Sequence, residues 1–186
     1  MSMKDATDDA HEHGLIFSTR TIHLSGDVDT DMTSKLALNL SLLQMRGSTQ
    51  PITIVINSGG GDVQQALAMY DFIRSSGCHI TTVALGSCES SACILLQAGD
   101  LRKAYRGTTV MYHSGTDSIP ELSTEEFPAN YAHCRVLDKL CNDIIYARMR
   151  AANPKLKPSQ FKRMVASGMY YAGASVVTWG LVDEIL

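Results

Sequence analysis

Apolar positions along the chain switch repeatedly between a period of two and a period near three and a half. Thr21-Ile22-His23-Leu24-Ser25 alternates polar and apolar and stops at Gly26-Asp27, which predicts a strand running into a turn. From Asp31 to Met45 the apolar residues fall at Leu36, Leu40 and Leu43, a helical spacing, with Asp31 or Thr33 placed to cap it. Ile52-Thr53-Ile54-Val55-Ile56 is a short β-branched run and predicts a buried strand that ends in Asn57-Ser58-Gly59-Gly60-Gly61. A second helix follows, with Val63, Leu67, Tyr70 and Ile73 on one face. His79 to Leu85 predicts another strand, and Ser90 to Gln97 a small-residue helix behind a turn.

Thr109-Val110-Met111-Tyr112 predicts a further strand, ending at His113. Asp117 to Pro128 is acidic, polar and broken by two prolines, and predicts a loop. Asn130 to Ala152 is the longest helical stretch, with Leu137, Leu140, Ile144 and Ala147 at helical spacing. There is no repeat, low-complexity tract or linker. The pattern is one α/β domain of βα units over residues 20–186, behind a polar leader over residues 1–19.

Composition narrows the function classes. The chain has 186 residues, 45% of them hydrophobic and 19% charged, with a net charge of −3, so clustered positive charge for nucleic acid or membrane surfaces is not expected. No apolar run approaches the roughly 20 residues that cross a bilayer, and the N-terminus lacks a signal-peptide pattern. A cytoplasmic protein is expected. The five cysteines, Cys78, Cys88, Cys93, Cys134 and Cys141, are odd in number and lack CxxC spacing, which predicts buried thiols rather than disulfides. His11 and His13 stand without further ligands, so no metal is expected.

Three features at strand ends could carry chemistry. Gly59-Gly60-Gly61 is a turn whose N–H groups could hold an anion or a developing oxyanion; alone it is equally a plain turn, and it lacks the Lys-Ser/Thr ending of a phosphate loop. Gly86-Ser87-Cys88-Glu89-Ser90-Ser91-Ala92-Cys93 can place a serine at a helix start, though a serine-rich start also serves as a cap. The flanking Cys88 and Ala92 exclude the G-x-S-x-G elbow of α/β-hydrolases. His113, at the end of its strand, could be a base or an ordinary histidine.

Together these residues resemble a known family. Ile56-Asn57-Ser58-Gly59-Gly60-Gly61 is similar to the I-N-S-P-G-G stretch of ClpP, the proteolytic subunit of Clp proteases (peptidase family S14, in the ClpP/crotonase superfamily). Ala68-Met69-Tyr70-Asp71 resembles its helix motif ending in I-Y-D, and Gly86 to Leu96 its G-Q-A-A-S-M-G-A-x-L-L. Val110-Met111-Tyr112-His113 resembles its strand ending in M-I-H, and Gly180-Leu181-Val182-Asp183-Glu184-Ile185 its G-L-V-D-x-I ending. The resemblance runs from about Arg20 to Ile185 and implies a ClpP/crotonase-like α/β fold of repeated ββα units with a long handle helix.

The resemblance further implies a serine endopeptidase that hydrolyses peptides or unfolded proteins. Ser90 would be the nucleophile, His113 its general base, and the backbone N–H groups of Gly61 and Ser91 the oxyanion hole. It implies homo-oligomeric rings, of seven subunits and stacked as fourteen, with Asn130 to Ala152 packed between subunits. An AAA+ unfoldase would use the ATP, since this chain carries no nucleotide-binding motif, and no cofactor is implied.

The third triad position departs from the family: counting back from Gly180 places Gly168 where the family has aspartate, and no carboxylate lies between Lys155 and Trp179. Asp138 and Asn142 are the available substitutes. A Ser90–His113 pair without its acid is expected to be long or misaligned. Ser114-Gly115 replaces the family's Q-P, and its glycine-rich substrate strand is not evident after His113. Two rivals follow: a catalytically weak or silent subunit with an assembly or regulatory role, and an acyl-CoA enzyme of the crotonase type.

Overall fold

A computed structural model describes residues 14–46, 49–115 and 127–186. The extreme N-terminus with His11 and His13, and most of the acidic stretch expected as a loop, lie outside the described residues. Strands β1 (Leu15–Ile16), β2 (Thr21–Ser25), β3 (Ile52–Ser58), β4 (Ile80–Glu89), β5 (Leu101–Ala104) and β8 (Glu184–Ile185) lie side by side in that order. From β2 to β8 the pairing is parallel, while β1 runs antiparallel to β2. Two further strands leave this path: β6 (Thr109–Tyr112) pairs with the far half of β4, and β7 (Met169–Ala172) pairs antiparallel with β6.

The helices are α1 (Thr30–Met45), α2 (Val63–Arg74), α3 (Ser91–Leu96), α4 (Phe127–Ala152), α5 (Pro158–Ser167) and α6 (Ala174–Thr178). α1 buries Leu36, Leu40 and Leu43 against the sheet, the stripe its spacing predicts. Its cap is Asp29 rather than Asp31 or Thr33, with the Asp29 carboxylate accepting from Met32 N–H at 2.8 Å. The long helix differs more. Its described part runs from Phe127, so Pro128, expected in the loop, already belongs to the helix. Its core face carries Cys141, Ile145 and Met149, whereas Leu140 is 48% exposed together with Val136 and Tyr131. Of the expected stripe, Leu140 therefore lies outside the core of the chain, while Ile144 packs against it. Leu15 is fully buried and paired to β2 although it falls in the stretch expected as leader, because β1 covers the edge of the parallel sheet.

The C-terminal segment is fastened by one buried cation. Arg102, on β5 and 5% exposed, donates to Asp183 Oδ1 at 2.5 Å, Gln97 Oε1 at 2.7 Å and Gly180 O at 2.8 Å. Its backbone N–H also donates to Asp183, at 2.8 Å. Partial burial pushes the Asp183 carboxyl up, but the hydrogen bonds and charge of Arg102, with the charge of Arg148, outweigh it and hold the group below its ordinary range. A depressed carboxylate contributes stability above its unfolded value of about 3.9, lost as pH falls through the folded value. Asp183→Ala leaves the guanidinium buried and uncompensated, so denaturant titration should show a loss of about 3 kcal/mol. The native chain's unfolding midpoint should be flat near neutral pH and fall below about pH 4, and that fall should be shallower in the variant.

Candidate active site

The site is built on a kink in β4. Ile52 to Ile56 pair in step with Ile80 to Ala84, but Ser58 pairs with Cys88, so β4 holds two more residues than β3 across this stretch. The excess residues bulge, and the Asn57 side chain covers the break by accepting from Ser87 N–H at 3.2 Å. Before the bulge β4 pairs with β5, and after it with β6, where Ser87, Cys88 and Glu89 face Thr109, Val110 and Met111. The next link, Ser90 N–H donating to Met111 O at 2.9 Å, sets the end of β4 beside the end of β6.

Ser90 stands between β4 and the start of α3, with φ at 54° and ψ at −123°. Positive φ is strained for a residue with a side chain and recurs at functional turns. His113 is the first residue after β6, and its Nε2 lies 2.9 Å from Ser90 Oγ. The expected long or misaligned pair is not found. The strand end is braced on both sides of the imidazole by the long helix: Tyr112 Oη donates to Asn142 Oδ1 at 3.1 Å, and Gly115 N–H to Asp138 Oδ1 at 3.2 Å. Asn142 thus holds the Tyr112 side chain and Asp138 the Gly115 backbone, and neither bonds the ring. Among the described residues no carboxylate meets His113 Nδ1.

The glycine turn closes over the serine. Val28 N–H donates to Gly60 O at 2.9 Å and Asp62 N–H to Val28 O at 2.7 Å, which leaves the N–H of Gly61 between them without an acceptor among the described residues. Ser91 N–H, at the helix start, has no intrahelical acceptor. Both tight positions require glycine. A Cβ on Gly61 would stand 2.4 Å from Val28 O, and one on Gly60 2.7 Å from Ser90 Cβ, at φ values of 147° and 106°. Gly59 has open space around it and an ordinary φ.

Two open pockets flank His113. One, of about 540 Å³, is lined by Gly61, Ser90 and His113 on one side and by Asn130, Cys134 and Leu137 of the long helix on the other. The second, of about 400 Å³, contains His113 and Gly168 but not Ser90. The thiols adjacent in sequence to Ser90 do not compete with it as nucleophiles. Burial pushes Cys93 up to about 12, and Cys88 is raised by burial and by its neighbours Cys93 and Glu89. Among the described residues no group of three His, Cys, Asp or Glu could hold a metal, and no helix is long and apolar enough to cross a membrane.

A family model described as Clp protease matches residues 5–186. The chain belongs to the Clp protease family. Its curated relatives include the "ATP-dependent Clp protease proteolytic subunit 2" of Nocardia farcinica, 38% identical over 86 residues, which are 46% of this chain and 42% of that protein. The protein of the same name from Corynebacterium glutamicum is 31% identical over 122 residues, 61% of each chain. These matches span about half the length of the relatives. Among solved structures, a ClpP1 mutant from Listeria monocytogenes superposes with a TM-score of 0.80 at 20% identity, over 97% of this chain and 95% of that one. The α/β fold of ClpP is therefore the fold of this chain.

Against the ClpP sequence pattern, Gly59 replaces proline at the one turn position where nothing is crowded. Gly168 has φ 76° and only Tyr170 Cε2 near a built Cβ, at 3.4 Å. Sequence reasoning missed Val28, Asn57 and Met111, which position the site through backbone atoms or a side-chain amide. Only Asn57 carried a signal, as a polar residue ending an apolar strand just before the glycines. One defect remains in this Clp-family site: Ser91 Oγ is buried with no hydrogen-bond partner among the described residues. Removing it leaves the backbone N–H unchanged, so Ser91→Ala should raise stability by about 1 kcal/mol in denaturant titration. Gly61→Ala should perturb the turn and Gly59→Ala should not, which thermal unfolding of the two variants will compare.

Proposed function

We propose that the chain is a serine endopeptidase subunit, with an acyl-enzyme formed on Ser90. The observation that carries this reading is the 2.9 Å approach of Ser90 Oγ to His113 Nε2, at a strained turn beside two free N–H groups. In the neutral imidazole Nε2 accepts the Ser90 hydroxyl proton as Oγ attacks a peptide carbonyl. The carbonyl oxygen, now negative, enters the space between Gly61 N–H and Ser91 N–H; one such donor is typically worth about 3 kcal/mol in the transition state. The imidazolium then protonates the leaving amine. Water, deprotonated by the same nitrogen, releases the acid and restores Ser90.

The pocket beside Ser90 is open and bounded by the long helix, which leaves room for a peptide chain to reach the serine. Unfolded proteins and peptides are the proposed substrates. The exposed Tyr131, Val136 and Leu140 on that helix support a homo-oligomeric contact; from the family resemblance the proposed assembly is a seven-membered ring, able to stack as fourteen, with a separate ATP-driven unfoldase as partner. A cytoplasmic location suits such an assembly. The silent-subunit reading draws on the missing acid alone. A serine and histidine already within hydrogen-bond distance favour the active one.

Ser90→Ala should lower hydrolysis of a fluorogenic peptide by about 10⁴-fold or more and abolish labelling by a fluorophosphonate, with assembly unchanged by light scattering. Full hydrolysis by that variant would refute the mechanism. Light scattering of the native chain at high micromolar concentration should give a multiple of 20.2 kDa; a monomer would refute the ring.

A further inference from the structure

His113 is shared by two pockets of different chemistry. Its Nε2 serves the Ser90 side. The two ring nitrogens of an imidazole point to diverging directions, so Nδ1 is turned away from Ser90. A separate pocket of about 400 Å³, which does not include Ser90, is lined by His113, Ser114, Gly115, Val165, Gly168 and Tyr170. Besides His113, no side chain lining it among the described residues is ionisable at neutral pH. Asp138 on the long helix is engaged by Gly115 N–H. Gly168 contributes no side chain, and a Cβ there would touch only the edge of Tyr170. The wall therefore offers space and a single proton donor that becomes cationic during the reaction.

We infer that this pocket binds a small aliphatic carboxylate, of formate or acetate size, which accepts the Nδ1–H of His113 and acts as the orienting acid of the site. The inference rests on the peptidase reading above. The bound ion forms no covalent bond. It fixes the tautomer with the proton on Nδ1, which leaves Nε2 free to accept from Ser90, and it stabilises the imidazolium as charge develops. Its contribution therefore falls on the chemical step, so kcat rises while KM stays constant. The requirement on the ligand is a single carboxylate, basic enough to accept the Nδ1–H as charge develops on the ring.

The test is peptide hydrolysis by the assembled native chain at fixed pH and ionic strength, with chloride replaced stepwise by formate, acetate or nitrate. Of the roughly 10⁴-fold that a missing orienting carboxylate can cost, a freely exchanging ion should recover about tenfold. Formate and acetate should give a saturable rise in kcat, and nitrate, too weak a base to stabilise the imidazolium, should give none. The rate of fluorophosphonate labelling of Ser90 should rise in parallel. In Ser90→Ala, which cannot turn over, formate should still shift the His113 Nδ1 resonance in nitrogen NMR, with the same saturation. If Ser90 labels and peptides are cleaved but formate changes neither rate nor resonance, this inference falls and the peptidase reading stands. If formate shifts the resonance while no condition yields labelling or hydrolysis, the carboxylate site stands and the peptidase reading falls. A rise that is equal for nitrate, or linear without saturation, would mean a general salt effect and overturn the site.

Discussion

The structure depends on a register change within one strand. β4 carries two residues more than β3 between Ala84 and Cys88, and it cannot stay in step with both of its neighbours beyond that point. It leaves β5 and takes β6 instead. Because parallel pairing fixes which residues end level, the three links from Ser87 to Glu89 determine that Ser90 emerges beside Met111 and that His113 follows within reach. No side-chain contact could substitute for this. A slip of one residue would turn every side chain of β6 to the opposite face, and His113 would leave the serine altogether.

The serine side is fixed by a different chain of constraints. Val28, outside any long strand, pairs with the glycine turn through both its N–H and its carbonyl. The carbonyl of Val28 lies where a Cβ of Gly61 would be, and the Cβ of Ser90 lies against the place of one on Gly60. The turn is thus clamped between the loop ahead of α1 and the strained residue that opens α3. Backbone amides held in this way need no reorganisation when charge develops near them, which is the condition for oxyanion stabilisation. The strain at Ser90 is sustained by its own N–H bond to Met111, so the two strand ends and the turn support one another.

Much of this was legible in the sequence, for physical reasons that differ by element. Ile52 to Ile56 and Thr109 to Tyr112 are short β-branched or apolar runs bounded by turns, and they could pack only as buried strands. Ser90, His113 and the three glycines stand at strand ends where polar residues interrupt apolar ones. What could not be read was what the tertiary fold decides. β5, with Arg102 and Lys103, has no apolar run that would predict a strand, and it is one because Arg102 is consumed by Asp183 and the carbonyls around it. The helical spacing through Leu140 does not tell which face meets the chain's own core, and the core takes Cys141 and Ile145 one step around the helix. Leu15 appeared to belong to a polar leader because a two-residue strand has no period to detect.

The same distinction explains why the missing carboxylate misled the geometric expectation. An orienting acid does two things for a histidine: it stabilises the imidazolium electrostatically, and it holds the ring in place. A sequence that lacks the acid invites the conclusion that both are lost. In this fold the second task is carried by the residues on either side of the ring, through the Tyr112 hydroxyl to Asn142 and the Gly115 N–H to Asp138, both acceptors on the long helix. Position is thereby separated from charge. The 2.9 Å pair survives without the acid because two hydrogen bonds one and two residues away hold its strand end. What the chain does not supply to His113, among the described residues, is a negative charge at Nδ1. In the proposed mechanism the geometry is thus already in place, and the electrostatic complement of the imidazolium is the part left to the second pocket.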